Sequence, residues 1–301
     1  MEQTKKIKSI NLALPFPPFS VNAYLIDTGK NKLLFDTGAK TEEALSVLKK
    51  EVDDFGGIDA VVLSHGHLDH AGLAKQISEL YDVPVYASLF EKERLSEDFS
   101  KRVERRVKKT IKALNFFGFS DEVAKKELGK VNYYKELMEP LDFVFNYSLL
   151  NDDSISFLEL SGHTKGSIGL YFKSEGAVFV GDAFLKEGVS SFLDPEKPEN
   201  ALKTYLLSVD NILKLNAKTV HPGHGKEFSN PDAVAEEHKN YVALVSKKIL
   251  TAVQEGKKFK DFLPQLFPQN YNSLIAMSEI VYALEEANIG ILQSLKDLLS
   301  E

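Results

Sequence analysis

His65, His67, Asp69 and His70 stand close together in VVLSHGHLDHAG, residues 61–72. Imidazole and carboxylate are the side chains that hold a divalent cation through nitrogen and oxygen. They are costly to bury unless something pairs with them. The apolar run AVVLS in front of them reads as a buried strand, so these residues emerge where a strand ends and the chain turns. Alternate residues of an extended segment point the same way. His65 and His67 can therefore share one ion, leaving Asp69 and His70 to reach a second.

Three further candidates also follow strands: His163 in LELSGHTKGS, Asp182 in VFVGDAF and His224 in TVHPGHG. Small residues flank each one, letting the backbone approach a crowded centre. Six of the seven histidines sit at such strand ends, a clustering that chance placement does not explain. The arithmetic suits two cations. His65, His67 and His163 make a three-nitrogen site, Asp69, His70 and His224 make a second, and Asp182 bridges them. Each ion then keeps a position for a shared water.

These residues carry a family resemblance. HGHLDH has the form HxHxDH, and the accompanying stretches appear in order: LLFDTG with Asp36, GHTKGS with His163, GD with Asp182 and PGHG with His224. On that set the chain resembles the metallo-β-lactamase-fold hydrolases over roughly residues 7 to 230. The resemblance implies an αββα sandwich with a dinuclear site along the sheet edges. It also implies that Asp36 orients the ligand loop without binding metal. In PGHG it selects His224 as ligand and leaves His221 a structural role. Asp69 and Asp182 are the residues expected to act in catalysis, Asp69 by accepting or relaying a proton.

The elements that must position these residues read as α/β. NAYLID and KLLFDTG flank the turn TGKN as a hairpin, and TEEALSVLKKE has a Thr start and helical spacing. AGLAKQISELY reads as a helix and VPVYAS as a strand. SISFLEL, IGLYFK and AVFVGDA follow as strands, then a helix from Pro198 to about Leu215 and the strand AKTVHPG. Asn230 and Pro231 open a long helix as N-cap and first residue, Gly256 closes it, and His238 within it is expected at the surface. The catalytic domain is expected to span residues 1–230, with a helical insertion at about 90–147 running as helix to Leu141. Residues 231–301 form a helical extension, whose pattern after residue 238 is similar to a winged-helix-like extension. Within the insertion, residues 101–112 are rich in Lys and Arg with Glu104 as their one acid. A solvated face is the plain reading of that run, and a clamp for an anionic substrate the functional one.

Composition narrows the chemistry. The chain has 301 residues and no cysteine, so thiolate metal sites and disulfides are excluded. Its net charge of -7 gives no global pull toward nucleic acid or anionic membrane. The start lacks the apolar run of a secretory signal, no stretch approaches the ~18 apolar residues of a membrane span, and a cytoplasmic location is expected. Gly-rich phosphate loops and the Gly-x-Ser-x-Gly elbow are absent. The expected function is hydrolysis of a small ester, thioester or lactone by a hydroxide shared between two divalent ions. Zn is the expected metal, with Fe and Mn as alternatives. A phosphodiesterase or ribonuclease with the same site is the second reading. A di-iron redox module is disfavoured by His67, where that branch carries Glu. A small molecule is the expected partner, with nucleic acid less favoured, no membrane, and a homodimer compatible with the apolar terminal helices.

Overall fold

Along several strands, neighbouring residues are buried on opposite sides, and this alternation builds a four-layer sandwich. The computed structural model describes residues 6–95, 131–187 and 201–255, with the single positions 101, 104, 105, 108, 111 and 257. One sheet runs β1 (Ile7–Ala13), β2 (Ser20–Asp27), β3 (Lys32–Phe35), β4 (Ala60–Val62), β5 (Val85–Tyr86) in spatial order. The other runs β6 (Ile155–Glu159), β7 (Ile168–Phe172), β8 (Ala177–Gly181), β9 (Thr219–Pro222). Tyr24, Ile26, Leu33, Phe35 and Val62 of the first sheet pack on Ile168, Leu170, Phe172 and Phe179 of the second. Each residue between them faces outward: Leu25, Leu34 and Val61 into one helical layer, Tyr171 and Val178 toward the other. Burial of apolar surface on both faces of each sheet holds the layers together.

The helices form for local reasons. In α1 (Glu42–Phe55), Thr41 caps the N-terminus by accepting from Ala44 N at 3.2 Å. Its buried residues Ala44, Leu48 and Val52 recur every fourth position, one face of a helix. α3 (Ala74–Tyr81) joins it on that side through Ala74 and Ile77. On the opposite side lie α6 (Ala201–Lys214), through Tyr205, Val209 and Ile212, and α7 (Pro231–Gln254), through Val234 and Ala235. Among the described residues no helix is long and apolar enough to cross a membrane.

Strand direction decides where the site lies. β3, β4 and β5 are mutually parallel. In the other sheet β7 runs antiparallel between β6 and β8, and β9 is parallel to β8, so β6, β8 and β9 share one direction. The residues after β3, β4, β6, β8 and β9 are those singled out from the sequence.

Several expectations change. β1 was not foreseen; its inward residues Ile10 and Leu12 alternate with polar Ser9 and Asn11, a signal carried by few residues. Asp69 and His70 lie in a short helix, α2 (Leu68–Ala71), not in an open loop. The insertion is only partly helical where described. It opens with a 3-10 turn (Leu89–Glu91) and α4 (Lys92–Leu95), and the helix α5 (Val131–Glu136) stops before Leu141. Beyond it Val144 bridges to Tyr86 at the sheet edge, because β5 has an open side to pair. The described positions of the basic run, 101, 104, 105, 108 and 111, are helical. Gly256 and the helices expected at 258–301, with the winged-helix-like pattern, lie outside the described residues.

Candidate metal centre

Seven side chains from four chain segments meet at the strand ends. His65, His67 and His163 form one group, Asp69, His70 and His224 another, and His65, His70 and Asp182 a third, each with its ligand atoms within 4.8 Å of one another. His67 Nδ1 lies 2.9 Å from His65 Nε2 and 3.0 Å from His163 Nε2. In the second group Asp69 Oδ2 is 3.4 Å from His224 Nε2 and 3.8 Å from His70 Nε2. Asp182 spans both: its Oδ2 lies 3.5 Å from His163 Nε2 and 3.5 Å from His224 Nε2, and its Oδ1 3.2 Å from His70 Nε2. The structure thus brings together every residue that the sequence nominated as a ligand.

The far side of most of these rings is already committed. His70 Nδ1 lies 2.8 Å from Asp36 Oδ2, His65 Nδ1 2.9 Å from Ser64 Oγ, and His224 Nδ1 2.7 Å from the carbonyl of Ser20. These acceptors draw the Nδ1 proton and leave Nε2 facing the centre, as metal-bound imidazoles require. Asp36 does more. Its carboxylate accepts from Ser64 N at 2.7 Å and from Ser64 Oγ at 2.7 Å, locking the start of the ligand loop. It does so from a left-handed backbone, φ 62°, a strain of about 1–2 kcal/mol offset by those hydrogen bonds.

The residues fit divalent cations on a further observation. His70 Nε2 and Asp182 Oδ1 are buried and face each other at 3.2 Å without an aligned hydrogen bond, although polar atoms withdrawn from water normally make one. Both point into the centre, where a cation would satisfy them. Charge tells the same story. Burial works against a charged His224, but the Asp182 carboxylate and its hydrogen bond outweigh it and push the ring up to about 10. His70 is likewise buried, yet Asp182, Asp36 and Asp69 raise it well above the usual range. Burial would raise Asp182, but the charges of His224 and His70 hold it well below the ordinary carboxylate value. Asp69 is lowered by the same neighbours against the same penalty. Burial and the charges of His70 and His163 depress His65. Without metal, protons on the imidazoles therefore balance the carboxylates, and a cation can take over that role.

Solvent reaches the centre from one side. His65, His70, His163 and Asp182 are buried, whereas His67, Asp69 and His224 are partly exposed.

Two histidines outside the ligand set fare differently. His221 stacks on Phe179 at 4.7 Å between ring centres and packs edge-on to Tyr24, a structural residue as expected. His238 is not at the surface: it is 4% exposed and its Nδ1 lies 2.7 Å from Tyr205 Oη. The correction has a simple cause. Val234, Ala235 and His238 share a helical face, and that face packs on α6 and the sheet.

Other residues escaped the sequence altogether. Asn22 Nδ2 donates to the carbonyls of Pro222 and Gly225, at 3.0 and 2.8 Å, and Tyr24 Oη to that of Pro222 at 2.7 Å. β2 thereby grips the loop that carries His224. Glu91 and Arg94, buried beside the other loops, were also missed. An Asn inside a strand pattern was the one available signal, since a buried amide needs partners; Glu91 gave none.

Comparison with known proteins follows the geometry. Residues 16–224 match the sequence profile of the Metallo-beta-lactamase superfamily. The Beta-lactamase-like protein 2 homolog of Caenorhabditis elegans is 26% identical over 234 residues, covering 76% of this chain but only 62% of that protein's length. The Probable metallo-hydrolase YqjP of Bacillus subtilis is 26% identical over 303 residues, covering 92% of this chain and 90% of that one. Hydroxyacylglutathione hydrolase GloC of Haemophilus influenzae is 27% identical over 215 residues, with 70% and 89% covered. Among solved structures, a metallo-beta-lactamase family protein of Thermus thermophilus superposes with a TM-score of 0.71 at 22% identity, covering 95% of this chain and 94% of its own.

Proposed function

The chain belongs to the metallo-beta-lactamase superfamily, and from that premise we propose that it hydrolyses a small ester, thioester or lactone, with two divalent ions held by the seven residues above. Its general character, a metal-dependent hydrolase, rests on the family match and the buried His/Asp cluster. One observation carries the finer reading: Asp182 stands between the two ligand groups, its Oδ2 3.5 Å from His163 Nε2 and 3.5 Å from His224 Nε2. His65, His67 and His163 would hold one ion, Asp69, His70 and His224 the other, and Asp182 would touch both.

When bound, such ions make hydroxide available near neutral pH and polarise the bond to be cleaved. The remaining work falls to the chain. Nδ1 contacts with Asp36, Ser64 and Ser20 fix the rings before substrate arrives, so little reorganisation is needed during reaction. Asp69 sits on the exposed side with its Oδ2 3.4 Å from His224 Nε2, placed to accept a proton from the attacking water and pass it to the leaving group. Asp182 stays ionised under the charges of His224 and His70. No side-chain nucleophile is required.

An acyl substrate is supported by the relative named as a hydroxyacylglutathione hydrolase and by the chain's negative net charge, which does not favour a polyanion. Zinc suits a site of imidazole and carboxylate. The test is a substrate panel of thioesters, lactones, phosphodiesters and RNA, run on Zn-loaded and chelator-stripped protein. Turnover of an acyl substrate that vanishes on stripping and returns with metal is the expected result. Salt-dependent RNA cleavage without acyl turnover would replace this reading with the phosphodiesterase one.

A further inference from the structure

Glu91 is fully buried in the 3-10 turn after β5. A carboxylate in that position is costly unless every oxygen is occupied. Arg94 supplies one partner, its Nη1 3.3 and 3.2 Å from the two oxygens. The others come from the ligand loops. Oε2 accepts from Gly66 N at 3.0 Å, and Oε1 accepts from Gly166 N at 3.0 Å and Thr164 Oγ1 at 2.7 Å. Gly66 lies between His65 and His67, and Thr164 and Gly166 follow His163.

Both loops are shaped around this group. A Cβ on Gly66 would stand 2.9 Å from Glu91 Oε2 and 2.7 Å from Arg94 Cβ, and one on Gly166 would stand 2.5 Å from Glu91 Oε1. The Gly66 loop leaves the first sheet after β4, while the Gly166 loop joins β6 to β7 in the second. A backbone hydrogen bond from Ile168 N to the Ser64 carbonyl, 2.8 Å, joins the bases of the two loops, and Glu91 joins them at the level of the imidazoles.

We propose that Glu91 is a positioning residue that sets the His65/His67/His163 half of the centre by tying these two loops together. The inference rests on the metal reading above. It is selective, because among the described residues the hydrogen bonds of Glu91 reach neither Asp69, His70 nor His224. That half is held by Asp36 and by the Ser20 carbonyl. Charge type matters as well as shape. Both oxygens only accept, so a glutamine would turn its amide nitrogen toward a backbone N–H and release one loop.

The test uses the full chain stripped with chelator and titrated with Zn(II) by calorimetry and with Co(II) by visible absorption. Two binding events in the unaltered protein establish the metal reading; none would sink that reading whatever Glu91 does. His67→Ala marks which event belongs to the three-imidazole half. Glu91→Gln is expected to weaken that event about 10- to 100-fold, to change its Co(II) spectrum, and to leave the other event in place. Asp36→Asn, which touches His70 directly and His65 through Ser64, should weaken both events. Unchanged affinities in Glu91→Gln, or equal loss of both events in a folded variant, would overturn the proposal. Should Glu91→Gln not fold, Thr164→Val removes the hydroxyl's contacts with Glu91 and Ser167 and leaves the Glu91 carboxylate in place; it should weaken the same event roughly 3- to 10-fold, and no change there would count equally against it.

Discussion

The two halves of the metal centre are built from similar side chains but held in different ways. His70 and His224 are fixed from strand ends close by. Asp36, directly after β3, holds His70, and β2 grips the His224 loop through Ser20, Asn22 and Tyr24. His65, His67 and His163 come from loops on different sheets and meet through Glu91, a side chain from a third segment. α6 supports the same half from outside, with Ser208 Oγ donating to the Ser161 carbonyl at 2.7 Å. One half therefore takes its geometry from neighbouring strand ends, whereas the other also has a buried carboxylate joining its two loops. Asp182, between them, is shared.

That contrast can be broken in order of size. Asp182→Ala removes the group common to both halves. Metal analysis should show loss at both positions, and kcat/KM should fall roughly a thousandfold or more, the scale of lost charge stabilisation at a reacting centre. Retention of two ions would show that the halves are independent. His67→Ala and His224→Ala should each leave about one ion per chain, consistent with a dinuclear site, and the remaining ions should differ in Co(II) spectrum. Identical spectra would erase the distinction between the halves.

A subtler difference appears in pH dependence. His224 is raised from 6.5 to about 10 in the metal-free fold. A raised histidine stabilises fully below its unfolded pKa and loses that contribution as pH climbs through the folded value. Asp69 and Asp182 are lowered from 3.8, so their contribution holds above that value and fades below it. These groups should accordingly add most to the Tm of the stripped protein between about pH 4 and 6.5, opposed there by the depressed His65, and their contribution should fade toward about pH 10. Metal-loaded protein should show a flatter profile, since cations replace the protons. The smallest effect is expected outside the ligand set. Tyr205→Phe strands the buried Nδ1 of His238 and should cost about 1–3 kcal/mol by denaturant unfolding, with metal stoichiometry unchanged.

The legibility of each part follows from how local its cause is. HGHLDH was readable because ligands of one cation can sit in alternation on one extended segment. His163, Asp182 and His224 were readable because each ends a strand beside small residues. Asp36 was readable through the family pattern. Glu91 was not, since a glutamate at the start of an irregular segment looks like any surface acid until its loops close over it. His238 misled for the converse reason: a polar residue in a helix is usually solvated, and only packing showed that its face turns inward. β1 and the short helix carrying Asp69 and His70 were lost because brief elements hold too few residues for periodicity to speak.

Ligand chemistry, the α/β balance of elements and the absence of thiolate were determined by the sequence alone, because side-chain type and hydrophobic period are properties of the chain itself. Which loops meet, at what separation, and which buried group holds them there were decided only in the folded molecule. Those distances depend on contacts between residues far apart in the chain, and no local spacing encodes them.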